Sequence, residues 1–336
     1  MNAIEAPAPA NRLGAPLAWV RKRLFGSVSD ALLTVAIGYV IVQALLGVGR
    51  WLPATNWSVI TDNARFWLVG RIPDGTEWRP AVAAAAFLVY GASFVFLRRR
   101  FGGGIAGAVV AAPAVAAIVL MWPVPLASYG GLLLTVTVAT FGIVLSFPFG
   151  VVVGVGRTSS LPAIRLASAV YTEAIRGVPL IAMIFWFSIF GALVVGPGLG
   201  MVEKGILAFV VFTSALIAEI TRGGIRAVPF GQREAARGLG LSGPQTLVLI
   251  VLPQALRTMI PAIVGQFITL FKDTSLLVIV GLQELTGAGQ ALLANPAYIR
   301  ARPEVFTFLP VVYFTFTYAM SLAARRLEVH LGVGKR

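Results

Sequence analysis

The amino-acid sequence predicts an all-α integral membrane protein of about eight transmembrane helices, a five-helix core with three extra N-terminal helices ahead of it. Three observations carry that expectation. Of the 336 residues, 58% are hydrophobic and 12% charged, roughly half the charge of a soluble domain, and the mean hydropathy is +0.87. Apolar stretches long enough to cross a bilayer recur along the chain. Lys and Arg gather on one side of those stretches, as they do where cytoplasmic loops retain positive charge. The same composition excludes several classes. The chain is too hydrophobic for disorder. It has no cysteine, so disulfide frameworks, thiolate zinc sites and cysteine nucleophiles are absent, and its single histidine, His330, leaves no His-based triad or paired haem ligation.

The elements follow in chain order. Residues 1–30 read as a cytoplasmic segment without a cleavable signal peptide, closed by the Arg21-Lys22-Arg23 anchor, with Leu17, Trp19, Val20, Leu24 and Phe25 along the interface. Residues 31–124 read as a three-helix scaffold, with spans at 31–49, 81–97 and 103–123 and an external, Trp-rich loop at 50–80. Residues 125–325 form the working unit, with spans at 130–155, 177–196, 204–221, 258–282 and 304–323, and 326–336 a cytoplasmic tail. The boundary near 125 marks a change in character: the later spans are richer in Thr, Ser, Gly and Pro, and ionisable residues appear at their edges.

Charge sets the orientation. Arg98, Arg99, Arg100, Arg157, Arg165, Arg176, Arg222, Arg226, Arg233, Arg237, Arg257, Arg325 and Arg326 fall on the side of the N-terminal anchor, taken as cytoplasmic. Arg50, Arg65, Arg71, Arg79, Lys204, Arg300 and Arg302 fall on the other, with Trp51, Trp57, Trp67, Trp78 and Trp122 as an aromatic belt. Both termini are then cytoplasmic. The net charge of +14 is a consequence of topology, so no nucleic-acid partner is inferred from it. Arg157 and Arg165 need no reading beyond inside charge.

The cytoplasmic stretch 222–257 is built like a hairpin. Pro229 opens a helix through Gly231-Gln232-Arg233-Glu234-Ala235-Ala236-Arg237, Gly238 and Gly240 break it, and Ser242, Pro244 and Gln245 start a second helix running through Ile250 and Pro253 to the membrane. Ala235 and Ala236 let a partner surface come close, Glu234 offers a charge, and Gly240 permits the tight turn. The plainer alternative is an amphipathic loop helix solvated by cytoplasm.

Glu234-Ala235-Ala236, then Gly240, then Ile250-x-Leu252-Pro253 resembles the EAA loop of ABC importer membrane subunits, with agreement at every spacing. The runs from Glu219 through Arg222 to Gln232, from Glu173 through Arg176 to Leu180, and Lys272-Asp273-Thr274-Ser275-Leu276 are similar to the polar amino-acid branch (histidine, glutamate and general L-amino acid uptake). The resemblance covers 125–325, and the added spans resemble the larger permease of general L-amino acid importers. It implies a transmembrane subunit of an ATP-driven amino-acid importer in the bacterial inner membrane. Implied partners are an ABC ATPase dimer seated on the loop through Gln232, Glu234, Ala235, Ala236, Gly240 and Pro253, a second homologous permease completing the path, a periplasmic amino-acid-binding protein, the amino-acid substrate and membrane lipid. The chain carries no phosphate-binding Gly-x-x-x-x-Gly-Lys-Ser/Thr, so it is expected to be no enzyme and to hold no cofactor or metal, with ATP and Mg2+ in the partner ATPase.

Two further groups stand out. Glu173/Arg176 and Glu219/Arg222 are i,i+3 pairs, readable as local ion pairs or as interface contacts. Lys272 and Asp273 interrupt the seventh span, where an ionised group costs several kcal/mol unless paired or wet. Adjacent residues cannot pair on one helix face, so a partner, a water-filled cavity or a broken helix restarted by Thr274 or Ser275 is expected. These residues line the substrate path or its gate, or hold the gate structurally. A self-contained secondary transporter or channel is the alternative function, disfavoured by the lack of an inverted repeat. A lipid-modifying membrane enzyme lacks a credible nucleophile–base set.

Overall fold

The computed structural model describes residues 20, 23–76, 78–80, 82, 121 and 124–331, and among them no strand forms. Five of the described helices are long and apolar enough to cross a membrane, or six if one bent pair is a single span. The expected spans at 81–97 and 103–123, and the charges Arg12, Arg21, Lys22, Arg98, Arg99, Arg100, Lys335 and Arg336, lie outside the described residues. The chain divides into two compact units, Met1–Asn56 and Trp57–Arg336.

The first unit contains α1 (Val28–Trp51), matching the first expected span. Ser27 starts it, its hydroxyl accepting from the Asp30 N–H at 3.1 Å while Asp30 sits favourably in the first turn. No residue of α1 is buried, and Leu32, Leu33, Val35, Ile37, Val40 and Leu45 point outward. A helix apolar all round with nothing buried is suited to lipid.

The second unit opens with two short helices, α2 (Ser58–Thr61) and α3 (Ala64–Val69). Five long elements follow: α4 (Gly131–Gly156), the bent pair α5 (Pro162–Arg176) and α6 (Leu180–Val195), α7 (Met201–Ala227), α9 (Leu252–Asp273) and α11 (Arg302–Leu331). Between them lie α8 (Phe230–Gly238) and α10 (Leu285–Leu293). The 102° bend between α5 and α6 falls at Gly177-Val178-Pro179, where the proline pushes Val178 out of helical geometry. Tyr171 ties α5 back to α7, its hydroxyl 2.7 Å from that of Ser214 and donating to the Val211 carbonyl at 3.0 Å.

The centre of the unit is the α4–α7 seam. Gly142, Ser146, Gly150 and Gly154 recur every fourth residue on one face of α4, and at Gly150 and Gly154 the missing side chains let Ile217 and Thr221 of α7 pack directly on the α4 backbone. A Cβ on Gly150 would lie 2.7 Å from Ile217 Cβ, and one on Gly154 would lie 2.5 Å from Thr221 Cβ. Around the seam, Leu134, Val138, Ile184, Phe187, Phe209 and Leu270 form a continuous buried cluster.

The described residues from Trp57 to Arg79 pack on this five-helix core. Trp67 is 2% exposed, donates its indole N–H to the Val59 carbonyl at 3.2 Å and stands edge-on to Phe308, ring centroids 4.9 Å apart. It joins Val59, Leu285, Val305 and Leu309 in a second buried cluster at the N-terminal ends of α10 and α11. Gly70 lies against Gly130 so closely that neither could carry a Cβ without the backbone moving.

Candidate coupling hairpin and translocation path

The hairpin forms as its turn chemistry dictates. Pro229 sits at the N-cap of α8, one residue ahead of the helix. α8 ends where Gly240 takes φ +77°, a conformation that costs a residue with a Cβ roughly 1–2 kcal/mol. The Leu241 N–H closes the turn on the Ala236 carbonyl at 3.1 Å. Ser242 and Gln245 then form a capping box, with the Ser242 N–H donating to Gln245 Oε1 at 2.9 Å and the Gln245 N–H to Ser242 Oγ at 3.5 Å.

Two side chains brace the hairpin. Arg233 donates to the Ile225 carbonyl at 2.9 Å, and Gln254 Nε2 to Gln232 Oε1 at 3.3 Å. Ala236 faces inward at 2% exposure, whereas Gln232, Glu234, Ala235 and Gly240 are exposed. Phe230 and Leu239 also stand exposed, giving the hairpin tip an apolar surface flanking a single carboxylate.

The ion pairs are wider than their sequence spacing indicates. Arg222 grips Glu219 with Nε 3.1 Å from both carboxylate oxygens and a closer contact through NH2. Glu173 is only loosely paired with Arg176, at 3.9 Å, and its close partner is Arg157 at 2.8 Å. Arg157 also reaches Glu219 at 3.4 Å, and Arg176 reaches it at 3.9 Å. Arg157, expected to be inside charge and nothing more, is therefore the link that joins the end of α4 to α5 and α7. Its side chain is 11% exposed, so it lies under the lattice it joins.

Lys272 and Asp273 close α9, and the chain does not break after them. It winds tighter, into a 3-10 helix over Thr274–Val280 that ends at Gly281, φ +81°. Thr274 is fully buried and returns its hydroxyl to the Phe271 carbonyl at 2.7 Å. Neither Thr274 nor Ser275 caps a restarted helix, so the expected half-helix N-terminus is absent here. Lys272 is exposed and Asp273 half-buried, and neither side chain makes an ion pair or hydrogen bond with another described residue. Behind them Phe271 stacks on Phe316 at 5.6 Å, fixing the other face of the helix against α11.

One buried carboxylate carries no sequence signal. Glu284, in the loop ahead of α10, has no exposed surface and caps that helix, accepting from the Thr286 N–H at 2.8 Å, the Gly287 N–H at 2.9 Å and the Tyr313 hydroxyl at 2.9 Å. Burial pushes its pKa up to about 7, against the opposing pull of those donors. Next to it the Gly131 N–H donates to the Gln283 carbonyl at 2.8 Å, and the Leu285 N–H to Thr135 Oγ1 at 3.0 Å. The starts of α4 and α10 and the first half of α11 meet in this knot.

With that geometry in place, the comparison with known proteins defines the class. Residues 146–331 match the family described as binding-protein-dependent transport system inner membrane component, and the chain belongs to that family. It is thus a membrane-spanning permease of an ABC importer, and the self-contained transporter or channel gives way to that assignment. Among its relatives is the inner membrane amino-acid ABC transporter permease protein YhdY of Escherichia coli, 32% identical over 98% of this chain and 97% of that one. The probable glutamine ABC transporter permease protein GlnP of Bacillus subtilis is 43% identical, over 60% of this chain and 92% of its own length. A solved structure described as an amino acid ABC transporter with histidines superposes with a TM-score of 0.53 at 27% identity, covering 60% of this chain and 92% of that one.

Proposed function

We propose that this permease carries amino acids inward across the bacterial inner membrane, with an external binding protein delivering substrate and a cytoplasmic ATPase dimer supplying the energy. The relatives named as amino-acid and glutamine permeases support the substrate class. The path lies between this chain and a second, homologous permease. The chain itself is no enzyme and holds neither metal nor cofactor, because ATP and Mg2+ belong to the partner ATPase. Residues 1–30 and 326–336 lie in the cytoplasm, 31–124 form an N-terminal scaffold, and 125–325 form the working core with its coupling loop at 222–257.

The observation that carries the coupling role is the braced, capped hairpin that presents Glu234, Ala235, Phe230 and Leu239 outward. Gln232 and Gly240 fix its shape, Ala236 seats it on the membrane domain, and Pro253 opens the helix that leaves it. Lys272, Asp273, Thr274 and Ser275 line the path or its gate. An unpaired lysine and aspartate inside a membrane span need water, substrate or the partner permease to be stable there. Glu173, Arg176, Glu219 and Arg222 hold the cytoplasmic ends of the helices together. The test is Gly240→Val, which places a β-branched residue at positive φ while leaving every span intact. ATPase co-purification and binding-protein-stimulated hydrolysis should fall while the amount of inserted permease stays normal. Normal ATPase association in this variant would remove the docking role.

A further inference from the structure

The path from the hairpin to Lys272 and Asp273 is one helical segment, Gly243–Val280, 38 residues long. Its winding changes along its length. Gly243–Gln245 is a single α turn, Thr246–Val251 is a π-helix, Leu252–Asp273 is α, and Thr274–Val280 is 3-10. A π-turn closes its bonds one residue later than an α turn, so it holds slack, and such turns cluster at working sites. A 3-10 stretch is the opposite, wound tight with a longer rise per residue.

The sequence supplies a cause for the π-turn. Pro253 has no N–H to give the Leu249 carbonyl, and its ring presses on that carbonyl. A wider turn eases the clash, and the Leu252 N–H bonds five residues back to the Leu247 carbonyl. Gln254 then donates its side chain to the Ile250 carbonyl at 2.9 Å, and the same amide reaches Gln232 on α8 at 3.3 Å. The end of the π-turn is thereby tied to the hairpin's first helix. At its start, Thr246 Oγ1 is buried with no hydrogen-bond partner, an unmet bond that a second arrangement of this turn can satisfy. Only one face of the turn is held: Thr246 and Val251 are buried, while Val248 and Leu249 are exposed.

We propose that residues 246–251 are a slack joint of one residue, held open by Pro253, through which movement of the coupling hairpin shifts α9 along its axis. Taking up that slack moves α9 by about 1.5 Å, the rise of one helical residue. Interface helices shift by about 1–2 Å in known switching transitions. The tight 3-10 turns at the far end absorb the travel by rewinding, so Lys272 and Asp273, at the junction, move while Gly281 stays in place. This rests on the hairpin's coupling role proposed above, and Pro253 acts through the turn as a positioning residue.

The test uses the complex reconstituted with its ATPase and binding protein. Deletion of Val248 returns the turn to α pitch without touching a buried residue, Val248→Ala keeps the residue count, and Pro253→Ala restores the missing donor. With ΔVal248, ATPase association and complex yield should stay normal, transport should fall by more than about tenfold, and hydrolysis should stop responding to the binding protein. Val248→Ala should transport as wild type, and Pro253→Ala should fall between the two. Wild-type transport by ΔVal248, or an equal loss in Val248→Ala, would overturn the joint while leaving the docking role intact. Lost ATPase association in both ΔVal248 and Pro253→Ala would also overturn it, by putting the defect at the docking surface. Failure of the docking role itself is read separately, from Gly240→Val.

Discussion

α7 and the segment Gly243–Val280 are both membrane-spanning and adjacent, yet they are held in opposite ways. In the most apolar window of α7, 56% of residues are buried within the chain, against 22% for Gly243–Val280. α7 is fused to α4 through glycines that leave no space for a methyl group. Gly243–Val280 touches α7 along one side, changes winding three times and presents an exposed Lys272 and a half-buried Asp273, neither paired with another described residue. The contrast separates frame from moving part by physical means. A seam in which Ile217 and Thr221 seat directly on glycine backbone cannot slide, because sliding drives those side chains into the next turn of α4. A less buried helix, with a loose turn at one end and a tight one at the other, can shift by exchanging hydrogen bonds within those turns.

The sharpest way to break this comparison is to open the seam. A leucine at Gly154 has its Cβ 2.5 Å from Thr221 Cβ and 2.6 Å from the Ala218 carbonyl before the rest of the side chain is counted. Ordinary overpacking costs about 1–3 kcal/mol, and here backbone obstructs relaxation, so the cost exceeds that range. Gly154→Leu should abolish monodisperse permease in detergent, read by size-exclusion chromatography. Leucine at Gly265, on α9 with open space around its missing Cβ, should leave the yield near normal. Equal yields from the two variants would show that seam and lever are not distinguished as described.

Next comes the ionic lattice beneath the frame. Removing Arg157 takes from Glu173 and Glu219 the closer of their two shared partners, whereas removing Arg176 loses only contacts at 3.9 Å. Glu173 is largely exposed, so solvent screening holds the effect to about 1 kcal/mol. Arg157→Ala should lower the melting temperature of the purified subunit, and Arg176→Ala should lower it less. The reverse order would return Arg157 to plain inside charge.

The knot around Glu284 is tested through pH. Glu284 has a folded pKa near 7 against an ordinary 4.5, so the fold favours its protonated form. That contribution is complete below about pH 4.5 and is lost as pH rises through 7. Thermal stability should therefore decline between those values, and Glu284→Gln should flatten the decline. An unchanged slope in the variant would place the pH dependence elsewhere.

Much of the hairpin was legible from residue type alone, because turns and caps are local. Gly240 at positive φ and the Ser242–Gln245 capping box need no tertiary information. The π-turn is not legible, since Pro253 in a first turn reads as an ordinary helix start and six residues are too few to show a change of period. Trp67 reads as an interfacial belt residue, and only folding reveals it wedged between Val59 and Phe308. Arg157 and Glu284 fail for one reason. A charge beside a span looks solvated until its partners arrive from elements 16 to 62 residues away in the case of Arg157, and 29 in that of Glu284. The fourfold spacing of Gly142, Ser146, Gly150 and Gly154 is present in the sequence, but it shows which helix face closes only once α7 lies against it.

The last prediction separates path from frame within the moving segment. Asp273→Asn preserves shape and removes charge. If the α4–α7 seam alone holds the fold, this substitution should leave the assembled complex at normal yield, because Asp273 bonds to no other described side chain. Transport should nevertheless change in rate or selectivity, because a carboxylate facing a path is an electrostatic partner for an ammonium group and an amide is a much weaker one. The informative measurement is therefore a ratio, uptake per assembled complex, taken with amino acids of different side-chain charge. A fall in yield with unchanged uptake per complex would mean that Asp273 braces the gate from behind. Unchanged yield with a shift in the ratio, larger for cationic than for neutral substrates, would place its charge on the path.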